Sequence, residues 1–252
     1  MDTPFDLHGL TAIVTGANSG IGQGIAVALA RAGAGIAAVG RSSMDETAAL
    51  VAETGAPFLG IKAELGTLAD IPRIMEEATA WGGHADILVN NAGTIRRADS
   101  IDFTEEDWDA VMDLNLKSVF FLSQAFARHL LAEGRPGKII NIASMMSFQG
   151  GIRIPSYTAS KSGLAGLTRL LACEWGGRGI NVNAIAPGYF ATANTKALRE
   201  DEKRSAEILG RIPAGRWGRP EDLGGAAVFL ASRASDYVHG VTLPVDGGWL
   251  AR

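Results

Sequence analysis

The chain is short of several residue types, and each shortage removes a class of protein. Its one cysteine, Cys173, permits no internal disulfide and no cysteine-built metal site. That fits a reducing compartment, and a cytoplasmic setting is expected. The four histidines (His8, His84, His129 and His239) are scattered, with no HExxH or other ligand spacing, so no metal is expected. Basic residues are outnumbered: 23 Lys and Arg face 27 Asp and Glu, a formal net charge of −4 at pH 7. Without a broad basic field the chain is not built to bind nucleic acid through phosphate neutralisation. No apolar run reaches the roughly 18 residues needed to span a bilayer, so no membrane partner is expected. The stretch from Met1 to Leu10 carries Asp2 and Asp6 rather than the cationic start of a signal peptide. Charged residues are 20% against 47% hydrophobic ones, which excludes disorder and supplies a sizeable core.

Glycine, by contrast, is plentiful: 32 of 252 residues, against a usual share of about 7%. No Gly-X-Y period or low-complexity block accompanies it, so the glycines mark tight turns and close backbone approaches. Short β-branched or aliphatic runs predict strands at Thr11–Thr15, Gly35–Val39, Phe58–Ile61, Asp86–Asn90, Lys138–Ile142, Asn181–Ile185 and Val241–Val245. Helical patterns fill the gaps: Ile21–Ala32, Met44–Thr54, Leu68–Trp81, Glu105–Leu131, Tyr157–Trp175 and Glu221–Ser232, the fourth breaking near Asn115. The strands are apolar throughout rather than alternating, as in a sheet covered on both faces. Repeated βα units then predict an α/β fold, a Rossmann-like doubly wound parallel sheet of about seven strands between two helical layers. No linker, charge block or repeat divides the chain, so residues 1–252 are expected to form one domain. The charged, helical segment Ala191–Arg216 has no strand partner and is expected to be an insertion over the carboxyl edge of the sheet.

The first predicted strand runs into Gly16-Ala17-Asn18-Ser19-Gly20-Ile21-Gly22 and then a helix. Glycines there permit a tight turn, approach to a pyrophosphate and close helix–strand packing, and the helix start offers free N–H groups. Tyr157 and Lys161 are four apart, on one face of a helix. An ammonium beside a phenol favours the phenolate, making tyrosine a usable base for alcohol oxidation or an acid for carbonyl reduction. Ser144 follows a strand, thirteen residues before Tyr157, where such sheets place ligand contacts.

The spacing TGxxxGxG at Thr15–Gly22, with Asn90-Asn91-Ala92-Gly93, Ser144, Tyr157-Thr158-Ala159-Ser160-Lys161 and Pro187-Gly188, resembles the short-chain dehydrogenase/reductase family over essentially the whole chain. The resemblance implies Tyr157 as acid/base, Ser144 as orienter of the substrate oxygen, Lys161 as ribose contact and pKa modifier, and Asn115 as part of a proton relay. It implies a nicotinamide cofactor held by Gly16, Asn18, Ser19, Gly20, Ile21, Gly22, Asn91, Ala92, Gly93, Tyr157, Lys161, Pro187, Gly188, Phe190 and Thr192. Glu64 and Leu65, after the third strand, fall on the adenine side, with Glu64 where relatives usually have Asp. Gly40 stands where NAD-preferring relatives often carry Asp, and Arg41 suits a 2′-phosphate. The expected cofactor is NAD, with NADP possible because of Arg41.

The segments around Arg96-Arg97, Ser144–Gly151, Ala186–Lys196, Ser205–Trp217 and Asp246–Arg252 resemble members of the family that oxidise sugar acids in bacterial uronate breakdown. The expected reaction is hydride transfer between the nicotinamide and a secondary alcohol or ketone of a deoxy-keto sugar acid, of the 2-dehydro-3-deoxy-D-gluconate or 2-deoxy-D-gluconate type. The alternatives are a 3-oxoacyl thioester or polyol reductase of the same family, or a catalytically silent dinucleotide-binding protein. Arginine forks suit carboxylates, so Arg96, Gln149 and Arg153 join Ser144 and Tyr157 as candidate substrate contacts. A solvated loop or a subunit contact is the alternative for Arg96 and Arg97. Trp249 and Arg252 either fold over a neighbour's site or anchor the terminus. On the helix from Tyr157, a small stripe (Ala159, Gly163, Gly166) and a leucine stripe (Leu164, Leu167, Leu171) suggest one face for the sheet and one for a second subunit. The family's usual homotetramer is the expected assembly.

Overall fold

Apolar runs that alternate between two buried faces make the frame. In β1 (Thr11–Thr15), Ala12 and Val14 enter one core and Ile13 the other; in β4 (Ile87–Asn90), Ile87 and Val89 join the first and Leu88 the second. Successive strand side chains point to opposite faces, so a run apolar throughout needs cover on both sides. The computed structural model describes residues 3–252. Met1 and Asp2, at the start of the amino-terminal stretch read above, lie outside the described residues.

The strands β2 (Gly35–Gly40), β3 (Phe58–Lys62), β5 (Gly137–Ile142), β6 (Ile180–Pro187) and β7 (Thr242–Val245) complete one parallel sheet of order β3-β2-β1-β4-β5-β6-β7. The helices are α1 (Gly20–Arg31), α2 (Asp45–Ala52), α3 (Ile71–Gly82), α4 (Glu105–Met112), α5 (Ser118–Glu133), α6 (Pro155–Trp175), α7 (Lys196–Glu200), α8 (Glu202–Arg211) and α9 (Gly224–Ala231). One core is filled by Ile25 and Leu29 of α1 with Ala227 and Leu230 of α9. The other is filled by Ile74 of α3, Phe126 of α5 and Leu171 of α6. This is the doubly wound α/β fold expected from the sequence. Strand order reverses between β1 and β4, and a crevice opens there at the carboxyl ends of the strands.

Element ends differ from expectation by a few residues, each for a local reason. The helix over Leu68–Trp81 begins instead at Ile71, with a proline in its first turn, where the missing N–H costs nothing. The break near Asn115 is a π-helical turn, Asp113–Lys117, that joins α4 to α5. The pattern from Glu221 opens as a 3₁₀ turn over Pro220–Leu223 before α9. On α6, Leu164 and Leu171 of the leucine stripe are buried and Leu167 is partly so, Gly163 of the small stripe faces Leu116, and Leu170, outside both stripes, is exposed.

The segment Ala191–Arg216 carries α7 and α8 across the carboxyl edge of the sheet. Its Ile208 and Ile212 form a third cluster with Met145, Met146 and Trp249. The arm is therefore seated on the loop after β5 and on the carboxy-terminal residues. No helix among the described residues is long and apolar enough to cross a membrane.

Candidate active site

The turn after β1 is held open by glycine. Gly16 has φ +64° and Gly20 φ +58°, a left-handed backbone that other residues adopt at a cost. A Cβ on Gly22 would lie 2.2 Å from the Gly16 carbonyl oxygen and 2.4 Å from Asn91 Nδ2, so only glycine lets α1 start this close to the turn. Ser19 precedes α1 in extended conformation and makes no side-chain cap. The first N–H groups of the helix have no partner within the helix and are left for an anion.

The neighbouring loop after β4 is bolted to this turn. Thr15 Oγ1 accepts from the backbone N–H of Asn91 at 2.9 Å and of Ala92 at 3.0 Å, and donates to the Val89 carbonyl. Asn91 Nδ2 donates to the carbonyls of Thr15 and Gly16 at 2.9 and 3.1 Å. Asn115, fully buried in the π turn, fixes the next residues: Oδ1 accepts from Thr94 N at 2.8 Å. Its Nδ2 donates to Thr94 O at 2.9 Å and Ser160 Oγ at 3.3 Å. The side chain is thus spent on the loop and on α6.

Two open cavities meet at the carboxyl edge. One, of about 710 Å³, is lined by Gly16, Asn18, Ser19, Gly20, Ile21, Gly22, Asn91, Ala92, Gly93, Lys161, Pro187, Gly188, Phe190 and Thr192. It runs on past Gly16 and Ala92 into a smaller recess walled by Arg41, Glu64 and Leu65. Every residue expected to hold a dinucleotide lies along this crevice. The other cavity, of about 740 Å³, lies under α8 and is lined by Arg97, Met146, Gln149, Arg153, Tyr189, Arg204, Arg211 and Trp249. Ser144 and Tyr157 belong to both.

Ser144 sits just beyond β5, its Oγ accepting from Met146 N at 3.2 Å. Ser147 Oγ and Ser162 Oγ tie this turn to α6 through the carbonyls of Lys161 and Met146. Burial pushes the Tyr157 hydroxyl above its usual range, and the neighbouring Ser144 hydroxyl and the charge of Arg97 act in the opposite direction. Lys161 is buried and donates to the Ile142 carbonyl at 2.6 Å. Its ammonium lies 5.8 Å from the centre of the Tyr157 ring, and burial lowers its pKa to about 8. The Lys161 ammonium is turned to a backbone carbonyl and not to the Tyr157 hydroxyl, so the groups that favour its ionisation here are Ser144 and Arg97, and burial outweighs them.

The basic residues separate in space. Arg96 Nε pairs with Asp107 Oδ1 at 3.1 Å, and Arg96 is outside the lining of the cavity, against its expected place as a substrate contact. Arg97 lines the cavity in its stead, donating to the Asn194 carbonyl at 3.2 Å. The two side chains leave the loop in different directions, and nothing in the sequence says which of the two faces inward. Arg153 lines the cavity with Nε on Asp99 Oδ1 at 2.9 Å, in a left-handed backbone of φ +64°. Gln149 Oε1 accepts from Trp249 Nε1 at 3.2 Å. Trp249 walls its own chain's cavity, and Arg252 reaches the Gly210 carbonyl of α8 at 3.2 Å. Arg204 and Arg211, absent from the sequence-based candidates, share a face of α8 with Ile208; their i, i+4, i+7 spacing was the available signal. Arg41 Nη1 lies 3.4 Å from Glu64 Oε2, both exposed. Among the described residues no cluster of side chains is suited to a metal ion.

The family model for enoyl-(acyl carrier protein) reductase matches residues 16–250. Known proteins match over nearly the whole chain. The 2-dehydro-3-deoxy-D-gluconate 5-dehydrogenase of Escherichia coli (strain K12) is 61% identical over 248 residues, covering 98% of each chain. The chain is a short-chain dehydrogenase/reductase. Within that family it also resembles the 2-dehydro-3-deoxy-D-gluconate 5-dehydrogenase of Bacillus subtilis (strain 168), at 55% identity over 252 residues, 98% of this chain and 97% of the relative. A crystal structure from Agrobacterium tumefaciens, a candidate 2-deoxy-D-gluconate 3-dehydrogenase with bound NADP, is 59% identical with TM-score 0.94 and 100% coverage of both chains. A gluconate 5-dehydrogenase from Burkholderia cenocepacia, in complex with NADP and tartrate, is 42% identical with TM-score 0.92, covering 99% of this dehydrogenase and 98% of that chain. As a member of this family the dehydrogenase is an oxidoreductase acting on a CH–OH group.

Proposed function

We propose that this dehydrogenase interconverts a secondary alcohol and a ketone on a deoxy-keto sugar acid of the 2-dehydro-3-deoxy-D-gluconate type. The observation that carries the reading is that Ser144 and Tyr157 stand where the phosphate-suited crevice meets the arginine-lined cavity. The names of the E. coli and B. subtilis relatives support the substrate class. Arginines around the cavity favour a carboxylate over the thioester alternative.

The crevice suits a dinucleotide: uncapped N–H groups at α1 for a pyrophosphate, glycines at the points of closest approach, and Lys161 in its lining within reach of a ribose. A nicotinamide dinucleotide bound there supplies the hydride acceptor or donor. Arg41 makes room for the 2′-phosphate of NADP and Glu64 beside it opposes that phosphate, so NAD and NADP are both assigned to the site. Ser144 holds the substrate oxygen and Tyr157 moves the proton. A phenol of ordinary pKa about 10 is protonated at neutral pH and burial moves Tyr157 further that way, so the side chain is ready as an acid toward a ketone oxygen. Alcohol oxidation, which needs the base, rises with pH. Asn115 serves by position, pinning Thr94 beside Ser160. The same proposal takes residues 1–252 as one dehydrogenase domain with 191–216 as a substrate-side insertion, cytoplasmic and assembled as a homotetramer.

Tyr157→Phe is expected to bind NADPH, followed by its fluorescence, as wild type does while losing nearly all turnover. Wild type is assayed with NADH and NADPH on a deoxy-keto sugar acid, a 3-oxoacyl thioester and a polyol. Preference for the thioester, or retained activity in Tyr157→Phe, would reject the reading.

A further inference from the structure

Four arginines line the cavity beyond Ser144 and Tyr157, and three of them are already engaged with the protein. Arg97 donates to the Asn194 carbonyl, Arg153 pairs with Asp99, and Arg204 pairs with Glu207 at 3.0 Å. Arg211, at the last turn of α8, differs. Among the described residues its one contact is with a ring: the guanidinium carbon lies 4.1 Å from the centre of Trp249. Stacking uses the flat face of a guanidinium and leaves its N–H edge free. An unpaired fork of N–H donors at the wall of a cavity matches a carboxylate, which takes two parallel hydrogen bonds from it.

The platform beneath the guanidinium is fixed. Trp249 is 5% exposed. Its Nε1 donates to Gln149, and its ring meets the edge of Tyr189 at 4.7 Å between centroids. The backbone around it is pinned by Asp246, whose carboxylate accepts from Gly248 N at 2.8 Å and Leu250 N at 2.9 Å. A cation held by such a stack loses little freedom on binding an anion. Arg97 is the arginine at the reacting end: it is held on Asn194, which lines both cavities as Ser144 and Tyr157 do. Arg211 belongs to the wall formed by α8 and the carboxy-terminal segment.

We propose that Arg211, stacked on Trp249, docks the carboxylate of the acid substrate while the reacting oxygen lies at Ser144 and Tyr157, and so determines specificity for acids. The assignment rests on the function proposed above. It accounts for a tryptophan near the carboxy terminus being turned inward to wall the cavity, and for α8 reaching across the edge of the sheet.

The test uses Arg211→Met, which keeps the stem on Trp249, and Arg211→Lys, which keeps the charge without the fork. On the sugar acid, Arg211→Met is expected to raise KM roughly ten- to a hundred-fold with kcat nearly unchanged, and Arg211→Lys to recover part of the loss. On the methyl ester of the same ketone, which lacks the charge, wild type and both variants should have like KM values. Calorimetric titration of D-gluconate into the protein saturated with NADPH should give heat with wild type and none with Arg211→Met. Equal KM on the acid, or equal gluconate binding, in wild type and Arg211→Met overturns the assignment; so does wild type that binds no gluconate. If wild type binds gluconate through Arg211 but turns over no sugar acid, the proposed function fails and the anion site stands.

Discussion

Lys161 carries an electrostatic burden that its position in the site explains. Its ammonium is buried on one carbonyl, and its pKa falls from 10.5 to about 8. Below pH 8 both folded and unfolded chains hold the proton, and the folded state bears the full penalty, at most about 3 kcal/mol for such a drop. Between pH 8 and 10.5 the unfolded chain binds a proton that the folded chain has shed, so stability from this group rises with pH. Lys161→Met should therefore unfold at higher urea than wild type at pH 7, lose that advantage near pH 10, and have no activity. Equal midpoints at both pH values would show that the buried charge costs nothing. At this scale the sequence was informative about which residues of a spaced motif share one crevice, as Tyr157, Lys161 and Ser144 do. It was silent where a neighbour decides the direction of a side chain. Arg96 turns to Asp107 and Arg97 to the cavity, although the two are chemically identical and adjacent.

Elements were legible because hydrophobic period and glycine placement agree on them. All seven strands stand within a few residues of their expected ends, and Asn115 does mark a break. That the break is a π turn holding Thr94 could not be read, since it depends on a loop 21 residues earlier. The turn into α1 is the element where packing is least forgiving. Gly22→Ala places a methyl group against the Gly16 carbonyl and Asn91; overpacking of this kind costs about 1–3 kcal/mol. The variant should lose stability in urea and bind NADPH at least ten-fold more weakly by fluorescence titration. Gly225→Ala in α9, where an added Cβ meets nothing within 4 Å, should be as stable as wild type or slightly more so. Like effects from both would mean that helix propensity, and not the cradle, explains Gly22.

For the whole molecule, the sheet and its two cores followed from strands apolar on both faces. Assembly did not, because a stripe on one helix cannot tell an inner neighbour from an outer one. Trp108 on α4, Phe121 on α5 and Leu170 on α6 are left 40%, 37% and 50% exposed, and α4 packs on α6. Tyr237 and Val241, before the edge strand β7, are exposed as well. Two separate apolar areas suit an assembly with two kinds of contact. Light scattering should give roughly four times the 26.3 kDa chain mass, and Leu170→Glu should reduce it. A wild-type mass of one chain would refute the tetramer.

The hydrogen bonds from Thr15 and Asn91 have a kinetic corollary. They weld together the two loops that embrace a dinucleotide. The arm of α7 and α8 instead rests on methionines and on the tail of the chain, so it can lift without parting any strand from its neighbour. A clamp with one jaw soldered and the other on a spring trades its small guest quickly and its large one slowly. Product is therefore expected to leave before the coenzyme, an order that product-inhibition kinetics would read.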